Sequence, residues 1–241
     1  MAERADRLRQ WLATPLGGLL IEHERQVLNE ALDDVFGIHF VQIGTWGDPK
    51  TYLPAARTQR QTVICSALGG QAQVFCKTES LPVASDSVDA VLLPHTLETD
   101  TDPHAVLREV ARVLVAEGQL LVLGFSAMGS WGARHRLSSE GFPPGLARLI
   151  PESRVRDWFA LLGFEVTAVR RYLYRLPLTP RRGASISVKA SGFTPHRLLP
   201  AGAYLIKARK RTYTLTPVRP KWRERRSMVG GLVEPTPRMR S

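Results

Sequence analysis

Residues 81–126 read LPVASDSVDAVLLPHTLETDTDPHAVLREVARVLVAEGQLLVLGFS, and this stretch decides the fold class. Two short apolar runs, 88–93 (VDAVLL) and 119–124 (QLLVLG), lie within it. Each is apolar at consecutive positions, as expected of strands covered on both faces. Between them Asp102 is placed to cap a helix and Pro103 fits its first position, where a missing N–H costs nothing. Val106, Leu107, Val110, Val113 and Leu114 then form one apolar face at helical spacing. Strand, helix, strand in that order implies a parallel pair joined by a crossover.

The same alternation continues on both sides. Upstream, 38–43 (IHFVQI), 62–65 (TVIC) and 72–76 (AQVFC) read as strands. Downstream, Ser153 and Gly163 bracket a helix over 153–162, and strands are expected at 164–169 (FEVTAV) and 203–208 (AYLIKA). Thr14–Pro15 opens an N-terminal helix carrying Leu16, Leu19, Leu20, His23, Val27, Ala31, Val35 and Phe36, with Gly37 as its stop. Such alternation predicts a mostly parallel sheet with helices on both faces. A chain of 241 residues, 44% hydrophobic, is long enough for one such domain. Two cysteines exclude a disulfide scaffold, and no apolar stretch approaches the ~18 residues of a membrane span. The charged opening segment lacks the apolar core of a signal peptide, so a cytoplasmic location is the expectation.

In order and spacing, Leu81-Pro82, Val88-Asp89, Leu97-Glu98, Asp102-Pro103, Leu107-Arg108-Glu109, Arg112-Val113-Leu114 and Gly118 form one extended pattern. It resembles the second half of a class I S-adenosylmethionine-dependent methyltransferase, of the small-molecule, type 11-like branch. Gly124-Phe125-Ser126 with Gly129-Ser130-Trp131-Gly132 resembles a bacterial subgroup of these proteins. The resemblance covers roughly residues 38–170. It implies a Rossmann-like, doubly wound α/β fold with a seven-stranded, mostly parallel sheet over 38–210. Helices within 1–37 would pack on it, and 211–241 would form a basic, disordered tail. It also implies S-adenosylmethionine as cofactor and methyl transfer as the activity.

In an open parallel sheet, ligands bind beyond the carboxyl ends of the strands, where strand order reverses. Gly44 and Gly47 (GTWG) follow the first strand, where backbone must approach a cofactor closely. Leu81 and Pro82 offer an apolar wall to an adenine ring. Pro94, His95 and Thr96 sit just past the fourth strand, facing cofactor and substrate. His95 is the one candidate for a catalytic base, because imidazole titrates near neutrality; the competing reading is a histidine that merely rims a pocket. Glu109 and Arg112 read as a structural pair, His39 as a packed strand residue and His104 as solvated. No set of residues has metal-ligand spacing, and Cys65 and Cys76 read as free thiols.

The chain departs from the family pattern at three places. Gln42 stands where the first strand usually carries an acid, and Gly44-Thr45-Trp46-Gly47 replaces a richer glycine turn. No acid ends the second strand; Ser66 is the nearest polar group. Lys77 takes the place of an Asp before the Leu-Pro turn, leaving Glu79 and Asp48 as substitutes. Methyl transfer from a sulfonium mainly needs donor, acceptor and leaving sulfur held in line, so the lack of an obvious acid–base pair is compatible with it.

The net charge of +11 is unevenly spread. Residues 1–165 carry a net of −5 and residues 166–241 a net of +16, with no Asp or Glu between Glu165 and Glu224. Arg170, Arg171, Arg175, Arg181, Arg182, Lys189 and Arg197 alternate with Tyr172, Tyr174 and Phe193, and further basic residues run to Arg226. That composition suits an anionic small-molecule acceptor, phosphate and base contacts with nucleic acid through 170–226, an anionic membrane surface, or a solvated extension. The second functional reading is accordingly a catalytically degenerate methyltransferase fold that binds nucleic acid.

Overall fold

A computed structural model describes residues 2–48, 50–66, 72–146, 148–178 and 200–212. The basic positions Arg181, Arg182, Lys189 and Arg197, the aromatic Phe193 and the tail beyond 212, all expected to matter, lie outside the described residues.

Helices α1 (Ala2–Leu12) and α2 (Pro15–Leu32) precede strand β1 (Phe36–Ile43). Strands β2 (Arg57–Cys65), β3 (Val74–Phe75) and β4 (Val88–Pro94) follow, then the short helix α3 (Thr96–Thr99) and α4 (Pro103–Val113). Next come β5 (Leu114–Phe125), α5 (Ser130–Leu137), α6 (Glu152–Leu161), β6 (Phe164–Tyr172) and β7 (Ala203–Lys210). The seven strands form one sheet in the order β3-β2-β1-β4-β5-β7-β6. All pairs are parallel except those of β7, which runs antiparallel to both β5 and β6. The doubly wound, mostly parallel sheet expected from the alternation is therefore present. Strand order reverses between β1 and β4, and this sets the ligand crevice at their carboxyl ends.

Two apolar cores flank the sheet. On one face Leu20, Leu28 and Leu32 of α2 pack with Phe40, Leu92, Leu121 and Leu205. On the other, Val106, Leu107 and Val110 of α4 and Phe159 of α6 pack with Ile43, Val91 and Leu120. Alternate residues of each central strand thus serve opposite cores, which is why these strands read as unbroken apolar runs.

Four details differ from the sequence reading. First, α2 ends at Leu32, not at Gly37. Val35 and Phe36 continue the helical spacing by coincidence, and Phe36 is exposed in β1. Gly37 instead lets the chain pass Asp89: a Cβ there would lie 2.4 Å from the carboxyl carbon, and that carboxylate accepts the N–H groups of Ile38 and His39, each at 2.8 Å. Second, Leu114 opens β5, opposite Val88 of β4, and does not extend the α4 face. Third, α6 is capped by Pro151 without a side-chain bond, so Ser153 lies inside it. Fourth, β3 is only two residues long, because Cys76 turns out of the sheet after donating to the Cys65 carbonyl.

Asp102 does cap α4, accepting the Ala105 N–H at 3.0 Å. Asp102→Ala is expected to cost about 1 kcal/mol, readable as a lower urea midpoint with an unchanged slope.

Candidate active site

The carboxyl end of β1 leads into a tight turn. Gly44 has φ +90, and a Cβ there would meet Thr96 Oγ1 at 2.6 Å. Thr96, at the start of α3, donates to the Ile43 carbonyl at 2.5 Å. The ends of β1 and β4 are thus pinned together across the reversal point. Gly47, with φ +69, lies against Ile21 of α2.

Gln42, just before the turn, is fully buried; its Nε2 donates to the Gly44 carbonyl at 3.1 Å, while its Oε1 has no partner. Trp46 is fully buried as well, and its indole N–H also has no partner. An unpaired buried polar group costs about 1–3 kcal/mol. Two of them at one turn mark a place that a polar ligand would complete.

Behind the turn lies a closed polar cluster. His95, the residue after β4, adopts the left-handed conformation (φ 54, ψ 15), and its ring is completely buried. Nδ1 lies 2.8 Å from Glu98 Oε2 and Nε2 lies 2.8 Å from Glu24 Oε1. Tyr52 donates its hydroxyl to Glu24 Oε2 at 2.5 Å, and the Phe125 N–H donates to Glu98 Oε1 at 2.9 Å. Burial alone would pull the His95 pKa down. The carboxylates, Glu24 foremost, outweigh it and bring the value up to about 9. Burial pushes the Glu98 carboxyl up despite its bonds to His95 and the backbone. His95 is therefore an imidazolium with both nitrogens committed to carboxylates. It has no free lone pair with which to act as a base on an acceptor.

Aromatic rings seal the cluster. The Trp46 ring stacks on His95 at 4.1 Å between centroids, and Phe125 covers it at 4.4 Å. Phe125 in turn stacks on Trp131 at 5.5 Å.

The residues expected at the crevice are thus distributed unevenly. Gly44 and Thr96 come together, and Gly47 lies further along the turn against Ile21. Pro94 and Thr96 are buried, and His95, expected to face cofactor and substrate, is turned into the interior. Ser66 is exposed at the end of β2. Asp48, exposed beside Gly47, accepts the Lys50 N–H and closes its own turn. Glu79 lies exposed in the turn before Leu81 and makes no hydrogen bond or ion pair among the described residues. Leu81 is buried in the α4-side core, and its N–H is held by Glu109 at 3.1 Å. Arg112 clamps the same loop, donating to the carbonyls of Leu81 (3.1 Å) and Val83 (2.9 Å) while paired with Glu109. The Glu109–Arg112 pair is structural, as the sequence suggested. His39 lies half-buried in β1, and exposed His104 packs on Trp158. Among the described residues no group of His, Cys, Asp or Glu could hold a metal ion.

Sequence reasoning does not pick out Glu24, Glu98, Tyr52 or the ring stack as site residues. One signal was available: Glu24 sits between Leu20 and Leu28, four residues from each, on the apolar stripe of α2. A carboxylate in that place calls for a buried partner.

The sequence pattern of the methyltransferase domain family matches residues 51–122. The uncharacterized protein YafS of Escherichia coli (strain K12) is 33% identical over 207 residues, which span 86% of this chain and 82% of that one. The chain belongs to one family with YafS and carries a methyltransferase domain. A second relative, the uncharacterized protein Rv2003c of Mycobacterium tuberculosis, is 31% identical over 147 residues, 60% of this chain but only 46% of that protein. Among solved structures, a SAM-dependent methyltransferase of Thermotoga maritima shares the fold with a TM-score of 0.62 at 18% identity, covering 86% of this chain and 96% of that one.

Within this methyltransferase sheet, the chemistry of the crevice fits the family's cofactor. Gln42 Oε1 is an acceptor suited to an ammonium and the Trp46 N–H a donor suited to a carboxylate, the two ends of an amino acid. Ser66 and Glu79 are a hydroxyl and a carboxylate suited to ribose hydroxyls, and both are exposed.

Proposed function

We propose that the protein transfers a methyl group from S-adenosylmethionine to a small-molecule acceptor. The observation that carries this reading is the pair of buried, unpartnered polar atoms on Gln42 and Trp46 at the glycine turn of β1, at the point where this sheet reverses its strand order. Gln42, Trp46 and the Gly44–Gly47 backbone would hold the amino-acid end, with Thr96 fixing the turn. Ser66 and Glu79 would hold the ribose, and the loop at Leu81–Pro82 would cover the adenine. The cofactor supplies an activated methyl on a sulfonium. The chain's own part is to orient it and to exclude water, which needs no general base for an acceptor that is already nucleophilic.

Calorimetric titration with S-adenosylmethionine and with S-adenosylhomocysteine tests the reading. Saturable heat is expected with both, and none with either would overturn it. Glu79→Gln is expected to weaken binding roughly tenfold without lowering the urea midpoint, since charged hydrogen bonds contribute about 1.5–3 kcal/mol and this side chain is exposed.

Among the described residues nothing favours the nucleic-acid reading over this one. The described basic residues near the sheet edge are mostly spent on the body's own acids: Arg171 on Glu152, Lys207 on Asp34, Lys210 on Asp86, and Arg211 on Glu117 and Glu165. Among the described residues no helix is long and apolar enough to cross a membrane.

A further inference from the structure

The ring stack that seals His95 does not stop at Trp131. Trp131 meets Trp11 of α1 edge-on at 6.2 Å and Phe142 at 5.4 Å. Trp11 and Phe142 stand at 86° to each other with centroids 5.5 Å apart. There the elbow between α1 and α2 and the loop after α5 frame an open cleft of about 470 Å³, within the ~300–1,000 Å³ usual for small-molecule sites. Trp11, Leu16 and Phe142 give it apolar walls; Thr14, Ser138 and Arg134 give it polar ones.

The charge of this cleft is unbalanced. The Arg134 guanidinium lies 3.9 Å from the Phe142 ring centroid, and its hydrogen bond goes to the Pro177 carbonyl, not to an acid. The rim carboxylate Glu140 faces Arg7 at 3.6 Å, and Arg7 Nε is buried with no partner. Arg7 lies outside the lining and is spent on Glu140, which leaves Arg134 as the lining charge without an acidic partner. The rim is also fixed in advance. Phe142 donates its N–H to His135 Nδ1 at 2.9 Å, and Ser138 donates its hydroxyl to the Gly141 carbonyl at 3.1 Å. Gly145, with φ +95, lets the loop touch α1, where a Cβ would lie 2.5 Å from the Arg4 carbonyl.

We propose that this cleft binds a small aromatic anion, its ring against Trp11 and Phe142 and its carboxylate, sulfonate or phosphate on Arg134. The proposal stands apart from the methyltransferase reading: a ligand here is not the methyl acceptor, because the rings of Trp131, Phe125 and His95 lie between it and the glycine turn. Two aromatic walls at right angles select a flat ring, and a cation already stacked on one of them selects a ring with an attached anion. The ring stack from Trp11 through Trp131 and Phe125 to His95 joins this cleft to the end of β4, so the two sites are separate yet share one rigid wall.

The test uses the full chain and three probes of one shape: 1-naphthoate, neutral 1-naphthalenemethanol and cationic 1-naphthalenemethylamine, followed by calorimetry and tryptophan fluorescence. Naphthoate is expected to bind at least tenfold tighter than either analogue. Arg134→Gln is expected to remove that preference while leaving the urea midpoint in place, and Trp11→Leu to weaken all three probes alike. S-adenosylhomocysteine is expected not to displace naphthoate. Equal binding of the three probes, a charge preference that survives Arg134→Gln, or competition with S-adenosylhomocysteine would overturn the proposal. A protein that binds naphthoate in this way but no S-adenosyl ligand would retain the site and overturn the methyltransferase reading instead.

Discussion

Replacing His95 with alanine is expected to cost about 3–5 kcal/mol, a large part of the ~5–15 kcal/mol that stabilises a domain of this size. The substitution does more than delete a ring. It leaves Glu24 and Glu98, both buried, facing each other across the gap with no cation between them. The same cluster makes stability depend on pH in a definite direction. The His95 pKa rises from 6.5 to about 9 on folding, so the folded chain holds this proton more tightly than the unfolded chain does. The stabilisation is complete below about pH 6.5 and is lost as pH rises through 9, for a total of about 3 kcal/mol. Glu98, pushed up from 4.5, acts with the same sign, its effect beginning at lower pH. Urea midpoints measured from pH 6 to 9.5 should therefore fall steadily in the wild-type chain. In His95→Ala the part of that fall due to the His95 proton, between about pH 6.5 and 9, should be absent. A flat wild-type profile over that range would mean that His95 is neutral, and the account of the cluster would fail.

The fold could be read because its decisive signals are local. The cap at Asp102, the proline after it and the α4 face all lie within one turn or two of each other, and each, Leu114 of the face excepted, is found where its pattern placed it. Errors arose where a local pattern continued by accident. Val35 and Phe36 keep the helical spacing of α2, but Phe36 is two-thirds exposed, so no burial enforced that spacing. β2 runs back to Arg57, well before the apolar run begins, because pairing with β1 and not burial holds its polar first half.

The site was legible only in part, for a different reason. Gly44 and Gly47 announce themselves by residue type, since only glycine takes a positive φ without strain, the first beside Thr96 and the second beside Ile21. The Glu24–His95–Glu98 cluster depends on a contact between residues 71 apart in the chain. A histidine after β4 reads as a rim residue until the partner from α2 is seen. Nor does sequence alone show that Trp46 points inward. In the GTWG turn it could equally have been an exposed ring; the left-handed turn at Gly44 and the flat face of His95 settle its direction.

Trp46 yields the second large effect, and here stability and binding should part company. Trp46→Ala removes a fully buried indole from between the turn and His95 and is expected to cost about 3–5 kcal/mol. Trp46→Phe keeps a ring on His95 but deletes the indole N–H that has no partner. Removing that N–H relieves a penalty of about 1–3 kcal/mol, which offsets much of the smaller ring's lost packing. The free Trp46→Phe protein should therefore unfold within about 1 kcal/mol of wild type. Its affinity for S-adenosylhomocysteine should nevertheless fall about tenfold, because the lost donor is one that the ligand's carboxylate would have used. Denaturation and calorimetry on the same preparations separate the outcomes. Equal loss of stability and affinity would make Trp46 a packing residue only, and unchanged affinity would mean that its N–H does not face the ligand. A variant as stable as wild type that binds the cofactor poorly is the result that only a ligand-facing indole at this turn explains.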